Sequence, residues 1–244
     1  MKVNLRKNPE MNSATFDSIS QLLFPVSCVI CDEPGTEFCA FCAMRLRAEV
    51  STREVDGVKY LAGAFYSDDL AKTILLAKES NNRSARRILT NYILEAFRRS
   101  QMQNQAKIAL VPLPSRKKAN RRRGYKHATL LAEGLRGQLR RTLSADVVLA
   151  DELHVNRQIL DQSNLSREER IENLAGAYSW GSRKIYSRVI GERPIATSRE
   201  WILIDDLVTT GTSAKEAVRA MRASGFEPKL VISAATADRS YSRI

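Results

Sequence analysis

Short, continuously apolar runs alternate along this chain with longer segments whose apolar positions recur at helical spacing. Val58–Tyr66, Lys107–Val111, Val147–Ala150, Trp201–Ile204 and Leu230–Ala235 are the apolar runs and read as strands. Asp68–Lys78, Ser84–Arg99, Lys126–Leu139, Ser166–Leu174 and Ser213–Ala223 read as helices. Local chemistry marks several helix ends. Ser67 is placed to cap the first of these helices, Ser166 and Glu169 form a capping box, and Gly225 closes the last helix. Apolar strands separated by helices predict an α/β fold with a parallel sheet covered on both faces. Ahead of this pattern, Phe16–Phe24 has helical spacing ended by Pro25, and Ala40–Ala48 reads as a short helix. Ser51–Gly57 is polar and reads as a connector, giving an N-terminal module over residues 1–52 and an α/β domain over 53–244.

The N-terminal module holds all four cysteines, as Cys28-Val-Ile-Cys31, seven intervening residues, then Cys39-Ala-Phe-Cys42. Secreted disulfide scaffolds spread their cysteines along the chain, so this cluster points to a metal site in a reducing compartment. Each two-residue gap lets one tight turn bring a pair of sulfurs to one ion, and Asp32, Pro34 and Gly35 suit a hairpin between the pairs. Four thiolates favour zinc and leave no open position, so the site is expected to be structural. Free thiols or a redox pair are the alternative.

The 244 residues are enough for a proper core without staples. With 39 Lys+Arg against 27 Asp+Glu, the net charge of +12 favours anionic partners. Met1–Glu10 is not followed by an apolar core segment with a small-residue cleavage site, and no apolar run approaches the ~20 residues that span a bilayer. The expectation is a soluble, cytoplasmic protein.

Two strand ends carry chemistry. Trp201–Ile204 runs into Asp205-Asp206-Leu-Val208-Thr209-Thr210-Gly211-Thr212-Ser213, with a helix following. Open parallel sheets bind ligands at the carboxyl ends of their strands. Thr209–Ser213 offers backbone N–H groups and hydroxyls at a helix N-terminus, a cradle for a monophosphate, and Gly211 permits its close approach. Asp205 and Asp206 suit the hydroxyls of an attached sugar, directly or through a metal ion. The implied ligand is a sugar 5-phosphate; the Walker pattern is absent. A capped helix start is the plainer alternative.

Ala109–Arg116 is the second junction, with Pro112, Leu113 and Arg116 on the expected ligand edge. Arg116, Lys117, Lys118, Arg121, Arg122, Arg123 and Lys126 crowd the stretch from its end. Such a block suits a pyrophosphate, a nucleic-acid surface or simply a solvated face. Beside the acidic segment the pyrophosphate reading gains. Val155–Asn173 is polar and reads as either a lid or a surface loop. His127 and His154, the only histidines, read as surface residues.

The segment from Trp201 to Ser213 resembles the phosphoribosyl pyrophosphate signature of type I phosphoribosyltransferases: apolar strand, two acids, two variable residues, Thr-Thr-Gly-Thr. The whole chain resembles the ComF family, competence-associated, amidophosphoribosyltransferase-like proteins with an N-terminal zinc module. Besides the cysteines, the likeness rests on Lys78, Val111-Pro-Leu-Pro114, Arg123-Gly-Tyr125, and Gln162, Leu165, Arg170, Asn173 and Ala177-Tyr178. Glu79, Lys126, His127 and Asn164 depart from its pattern.

The resemblance implies a type I phosphoribosyltransferase fold that binds phosphoribosyl pyrophosphate with Mg²⁺. Asp205 and Asp206 would hold the ribose hydroxyls, and Thr209–Ser213 the 5-phosphate. Val208, Pro112, Leu113, Arg116 and Lys78 would complete the site. It also implies a role in DNA uptake during natural transformation. Three functions follow as expectations: transfer of ribose 5-phosphate to a nitrogen nucleophile; single-stranded-DNA binding through Lys117, Lys118, Arg121, Arg122, Arg123 and Lys126, with the sugar phosphate as regulator; or docking on a DNA-processing helicase through the zinc module.

Overall fold

A computed structural model describes residues 26–115, 117–156, 176–181 and 199–244. The expected helices at Phe16–Phe24 and Ser166–Leu174, and the segment 157–173, lie outside them, as does Arg116. The chain divides into two compact units between Arg45 and Leu46.

In the first unit the cysteine segment is a pair of tight turns followed by one short helix. Cys28 N–H donates to Glu33 O and Gly35 N–H to Val26 O, each at 2.8 Å, around a bridge between Ser27 and Pro34. Asp32 and Gly35 take positive φ in these turns. Helix α1, Ala40–Arg45, stops short of the expected Ala48.

The second unit is built on a seven-stranded sheet. Its strands are β1 (Ser51–Val55), β2 (Val58–Phe65), β3 (Lys107–Pro112), β4 (Asp146–Leu149), β7 (Glu200–Val208), β8 (Pro228–Thr236) and β9 (Ser242–Arg243). A separate antiparallel pair is formed by β5 (Leu153–Val155) and β6 (Tyr178–Trp180). The order is β4-β3-β7-β8-β2-β1-β9. Pairing is parallel from β4 across to β2, and antiparallel at the β2–β1 and β1–β9 edge. The expected parallel sheet is present, with an antiparallel edge added.

That edge corrects the reading of residues 51–57. They form one arm and the turn of a hairpin. Asp56 and Gly57 both take positive φ, as a two-residue hairpin turn requires. The polar side chains of β1 reflect its place near the sheet's edge.

Five described helices complete this unit: α2 (Asp68–Glu79), α3 (Arg83–Arg99), α4 (Lys117–Arg123), α5 (His127–Thr142) and α6 (Thr212–Arg222). Ser67 Oγ caps α2 through Leu70 N–H, as expected, and Asn82 Oδ1 caps α3 through Ala85 N–H. In α3 the buried residues Ala85, Ile88, Leu89, Tyr92, Ile93, Ala96 and Phe97 form one stripe at helical spacing. This stripe packs on β2 and β8, while α5 lies on β3, β4 and β7. Gly63 permits the close approach of α3: a Cβ there would stand 2.3 Å from the carbonyl oxygen of Tyr92. Apolar positions Tyr60, Val111, Trp201, Leu203 and Val231 of the sheet pack with α6 and the β5–β6 pair in a second buried cluster. Trp180, Trp201 and Phe226 make its aromatic centre, with ring centroids 4.9–5.6 Å apart.

The topology places the ligand edge. From β3 the chain crosses outward to β4; from β7 it crosses the other way to β8. Neighbouring parallel strands whose crossovers diverge leave a crevice beyond their carboxyl ends, where open α/β sheets bind ligands. The ends of β3 and β7 carry the two junctions singled out from sequence.

Candidate functional site

Strand β7 continues past its apolar run. Asp205, Leu207 and Val208 pair with Ser233, Ala235 and Thr236 of β8, so both acids lie within the strand and not in the loop after it. Ladder pairing here overrides the weak strand preference of two successive aspartates. Asp205 Oδ1 accepts the Asp206 N–H at 2.8 Å, and Asp206 Oδ1 accepts the Leu207 N–H at 2.9 Å. Each carboxylate is thereby tied to the backbone.

Asp206 is 6% exposed and faces Lys78 and His127. Lys78 Nζ, from the last turn of α2, donates to Asp206 Oδ2 at 2.7 Å. Burial opposes ionisation of Asp206, but the Lys78 ammonium outweighs it, with help from His127, and holds the carboxyl well below the usual range. Asp206 in turn raises the Lys78 pKa. Asp205 moves the other way: burial, then the neighbouring Asp206 charge, push it well up. The pair therefore retains a proton on Asp205 more readily than on Asp206.

His127 corrects its surface reading. It opens α5 and is 1% exposed, because this helix start packs inward beneath β7. Nε2 lies 3.5 Å from Asp206 Oδ2, and neither ring nitrogen has a hydrogen-bond partner among the described residues. Burial, reinforced by Lys78, Arg123 and Arg86 against the opposing Asp206 charge, lowers the imidazole to about 4, so it is neutral at pH 7. His154 is exposed on β5.

The loop after β7 is shaped as a cradle. Gly211 takes φ +77° and caps α6 with no side-chain hydrogen bond. Lys215 N–H donates to Gly211 O, whereas the amides of Gly211, Thr212, Ser213 and Ala214 donate to no acceptor among the described residues. Four adjacent N–H groups at the positive end of an eleven-residue helix can receive an anion. Thr210 and Thr212 hydroxyls lie 2.8 Å apart, and Thr209 is exposed. Val208 is buried in the strand.

Arg53 of β1 supports this loop and was not singled out from sequence. Its guanidinium stacks over Tyr60 and Tyr241, with the carbon 5.4 and 5.0 Å from the ring centroids, and pairs with Asp238. Nη2 donates to Thr210 O at 3.4 Å. Because a trans peptide points its C=O and N–H oppositely, holding the Thr210 carbonyl turns the Gly211 N–H away from Arg53. A Cβ on Gly211 would meet Nη2 at 2.3 Å. The Asp-Gly turn signal at 56–57 would have put Arg53 on a strand.

At the end of β3, Pro112 pairs with Ile204, and Leu113 N–H donates to Ile204 O at 2.9 Å. Leu113 is 5% exposed and contributes packing to this edge. In α4 and the turn after it, much of the basic stretch is partnered. Arg122 and Arg123 hold Glu79 at 2.5 and 2.6 Å, and Lys126 holds Asp151 at 2.7 Å. Tyr125 Oη donates to Lys78 O at 2.7 Å, tying this turn to the end of α2. Lys118 and Arg121 are exposed. Glu79 thus serves as anchor for two arginines.

The structure brings Asp205, Asp206, Lys78 and the Thr209–Ser213 loop to one edge, with Pro112 and Leu113 on the adjoining strand. Arg122, Arg123 and Lys126 are turned toward carboxylates.

In the first unit the four cysteines are free, and their Sγ atoms all lie within 4.8 Å of one another. Cys39 N–H points to Cys28 Sγ at 3.5 Å and Cys42 N–H to Cys39 Sγ at 3.4 Å. Burial alone would raise the Cys28 thiol, but backbone donors from Cys39, Cys31 and Ile30 bring it down to about 6. Burial and the adjoining sulfurs push Cys42 up. A cation would relieve that opposition, and the donor set fits a tetrahedral metal. No helix of the described residues is long and apolar enough to cross a membrane. Comparison with models of known protein families gave no match, and comparison with curated proteins gave none either.

Proposed function

We propose that this chain is a phosphoribosyl pyrophosphate-binding protein with a type I phosphoribosyltransferase fold, of the kind its sequence resembles in the ComF family. The observation that carries the reading is one juxtaposition. At the switch point of the sheet, an acidic pair on β7 stands next to a helix start whose first amides have no acceptor among the described residues. Asp205 and Asp206 suit the ribose hydroxyls. The amides of Gly211–Ala214 and the hydroxyls of Thr209–Ser213 suit the 5-phosphate. Pro112 and Leu113 border the place of the pyrophosphate, and Lys78 supplies a cation beside the acidic pair. Mg²⁺, bound with the pyrophosphate, would supply neutralising charge as that group leaves. The chain's own carboxylates orient the ribose and favour positive charge developing at its anomeric carbon. The reaction class is transfer to a nitrogen nucleophile.

In the first unit, zinc is the ion that four clustered thiolates select, in a structural role. Support of DNA uptake or processing in the cytoplasm is the cellular role that the resemblance implies.

A thermal-shift series tests the ligand. Phosphoribosyl pyrophosphate with Mg²⁺ should raise the melting temperature, by the equivalent of about 2.7 kcal/mol at a hundred times Kd. Ribose 5-phosphate and pyrophosphate should each give less. No shift with any of the three would remove the reading.

A second reading has its own observation: Lys118 and Arg121 are exposed beside Arg122 on α4, in a chain of net charge +12. It makes the protein a single-stranded-DNA binder regulated by the sugar phosphate, with the cysteine unit available to a helicase partner. DNA affinity should then fall steeply between low and moderate salt. Affinity independent of salt would end this reading.

A further inference from the structure

A ligand hydroxyl approaching Asp206 meets an occupied carboxylate. Oδ1 is tied to the Leu207 amide, and Oδ2 is held by Lys78 at 2.7 Å. An incoming polyanion can reach Lys78, whose side chain is 32% exposed against 8% for Asp206. If Lys78 turned to the ligand with nothing in its place, a buried carboxylate would lose its one cationic donor and keep only the Leu207 amide and the neighbouring Asp205 carboxyl, an expensive state in this setting.

His127 answers that need. It is 1% exposed, neither ring nitrogen has a hydrogen-bond partner among the described residues, and Nε2 stands 3.5 Å from the same Oδ2 that Lys78 holds. A buried polar group with no partner calls for a reason, because such groups are rare in native proteins. The distance is just too long for a good hydrogen bond and needs a shift of about half an ångström to become one. Arg123 is committed to Glu79 through Nε and Nη2, and its buried Nη1 is the other donor in this neighbourhood without a hydrogen-bond partner among the described residues.

We propose that His127 is a positioning residue for the ligand-bound state: as an anionic ligand draws Lys78 away, the His127 Nε2–H closes onto Asp206 Oδ2 and keeps that carboxylate aimed at the ligand. Asp206 thus exchanges one donor for another, and Lys78 is released to the phosphates. The inference rests on the sugar-phosphate reading of the site and adds a residue to it.

The chain has two histidines, and His154 is exposed, so it serves as an internal reference. The full-length, zinc-loaded protein labelled with ¹⁵N-histidine is titrated at pH 7 with phosphoribosyl pyrophosphate and Mg²⁺, with calorimetry in parallel. The expected result is a shift of the His127 Nε2 signal toward a hydrogen-bonded donor while His154 stays put. His127→Gln, whose amide can donate, should bind within about threefold of wild type, and His127→Leu about ten- to hundredfold more weakly. Binding with an unmoved His127 signal overturns the exchange and leaves the sugar-phosphate reading intact. Wild type that binds nothing overturns both. The labelled wild-type spectrum decides the matter even if His127→Leu does not fold.

Discussion

The cysteine unit and the acidic edge of the sheet are both clusters of four or so chemical groups, yet they are assembled in opposite ways. The cysteines lie within fifteen residues, between Cys28 and Cys42, and two tight turns bring them together. The acidic edge draws Arg53 from β1, Lys78 from α2, His127 from α5, Asp205 and Asp206 from β7 and Thr209–Gly211 from the loop after it. A local cluster of this kind would depend on a bound metal for stability, because twenty-odd residues bury little apolar surface. A distributed cluster is held by a core that exists for other reasons, so its groups can keep unfavourable states such as a buried imidazole with no hydrogen-bond partner among the described residues.

The largest effect that separates the two is metal removal. Chelation or Cys42→Ser should open residues 26–45 to protease while 46–244 keeps its secondary structure, since structural zinc contributes on the order of 10 kcal/mol to such modules. Limited proteolysis read by mass spectrometry, with zinc content measured alongside, checks this. Cleavage spread equally through both units would erase the contrast.

Next in size is a pH effect confined to the distributed site. Folding lowers His127 from 6.5 to about 4, so the unfolded chain binds its proton first. Stability from this group is present above the unfolded value and is lost as pH falls from about 6.5 toward 4, by up to about 3 kcal/mol. The raised Asp205 contributes with the opposite sign, so the comparison must be made between wild type and His127→Gln. Urea titrations at several pH values should show the steeper acid loss in wild type. Parallel curves would mean that His127 is not buried neutral.

His127 and Arg53 show where the sequence stopped being informative. Cys-x-x-Cys spacing, the Asp-Asp-x-x-Thr-Thr-Gly-Thr segment and the strand-helix alternation each carry their geometry locally, and all appear in the fold. His127 carried no local sign of burial: its depth comes from the packing of α5 under β7, a contact across nearly eighty residues. Arg53 was concealed differently. Polar residues at 51–57 resemble a connector, yet the Asp56-Gly57 pair is a hairpin turn, and that turn delivers Arg53 to Thr210. Likewise the strand's extension through Asp205 and Asp206 depends on partners in β8 that no local pattern reveals.

A smaller effect sharpens the role of that arginine. Arg53→Met should weaken ribose 5-phosphate binding about tenfold by loosening the Thr210–Gly211 peptide and removing a nearby charge. Pyrophosphate binding should change little, because it belongs to the edge at Pro112. Calorimetry with both ligands makes the comparison. Equal weakening of the two would assign Arg53 a general structural part.

The central claim is that the acidic pair and the amide cradle form one sugar-phosphate site. Calorimetric titration of phosphoribosyl pyrophosphate with Mg²⁺ into wild type and into the Asp205→Asn/Asp206→Asn double variant tests it most directly. The account predicts saturable binding to wild type and none to a double variant that is folded and zinc-loaded. Equal binding by both, or no binding by wild type, would contradict it.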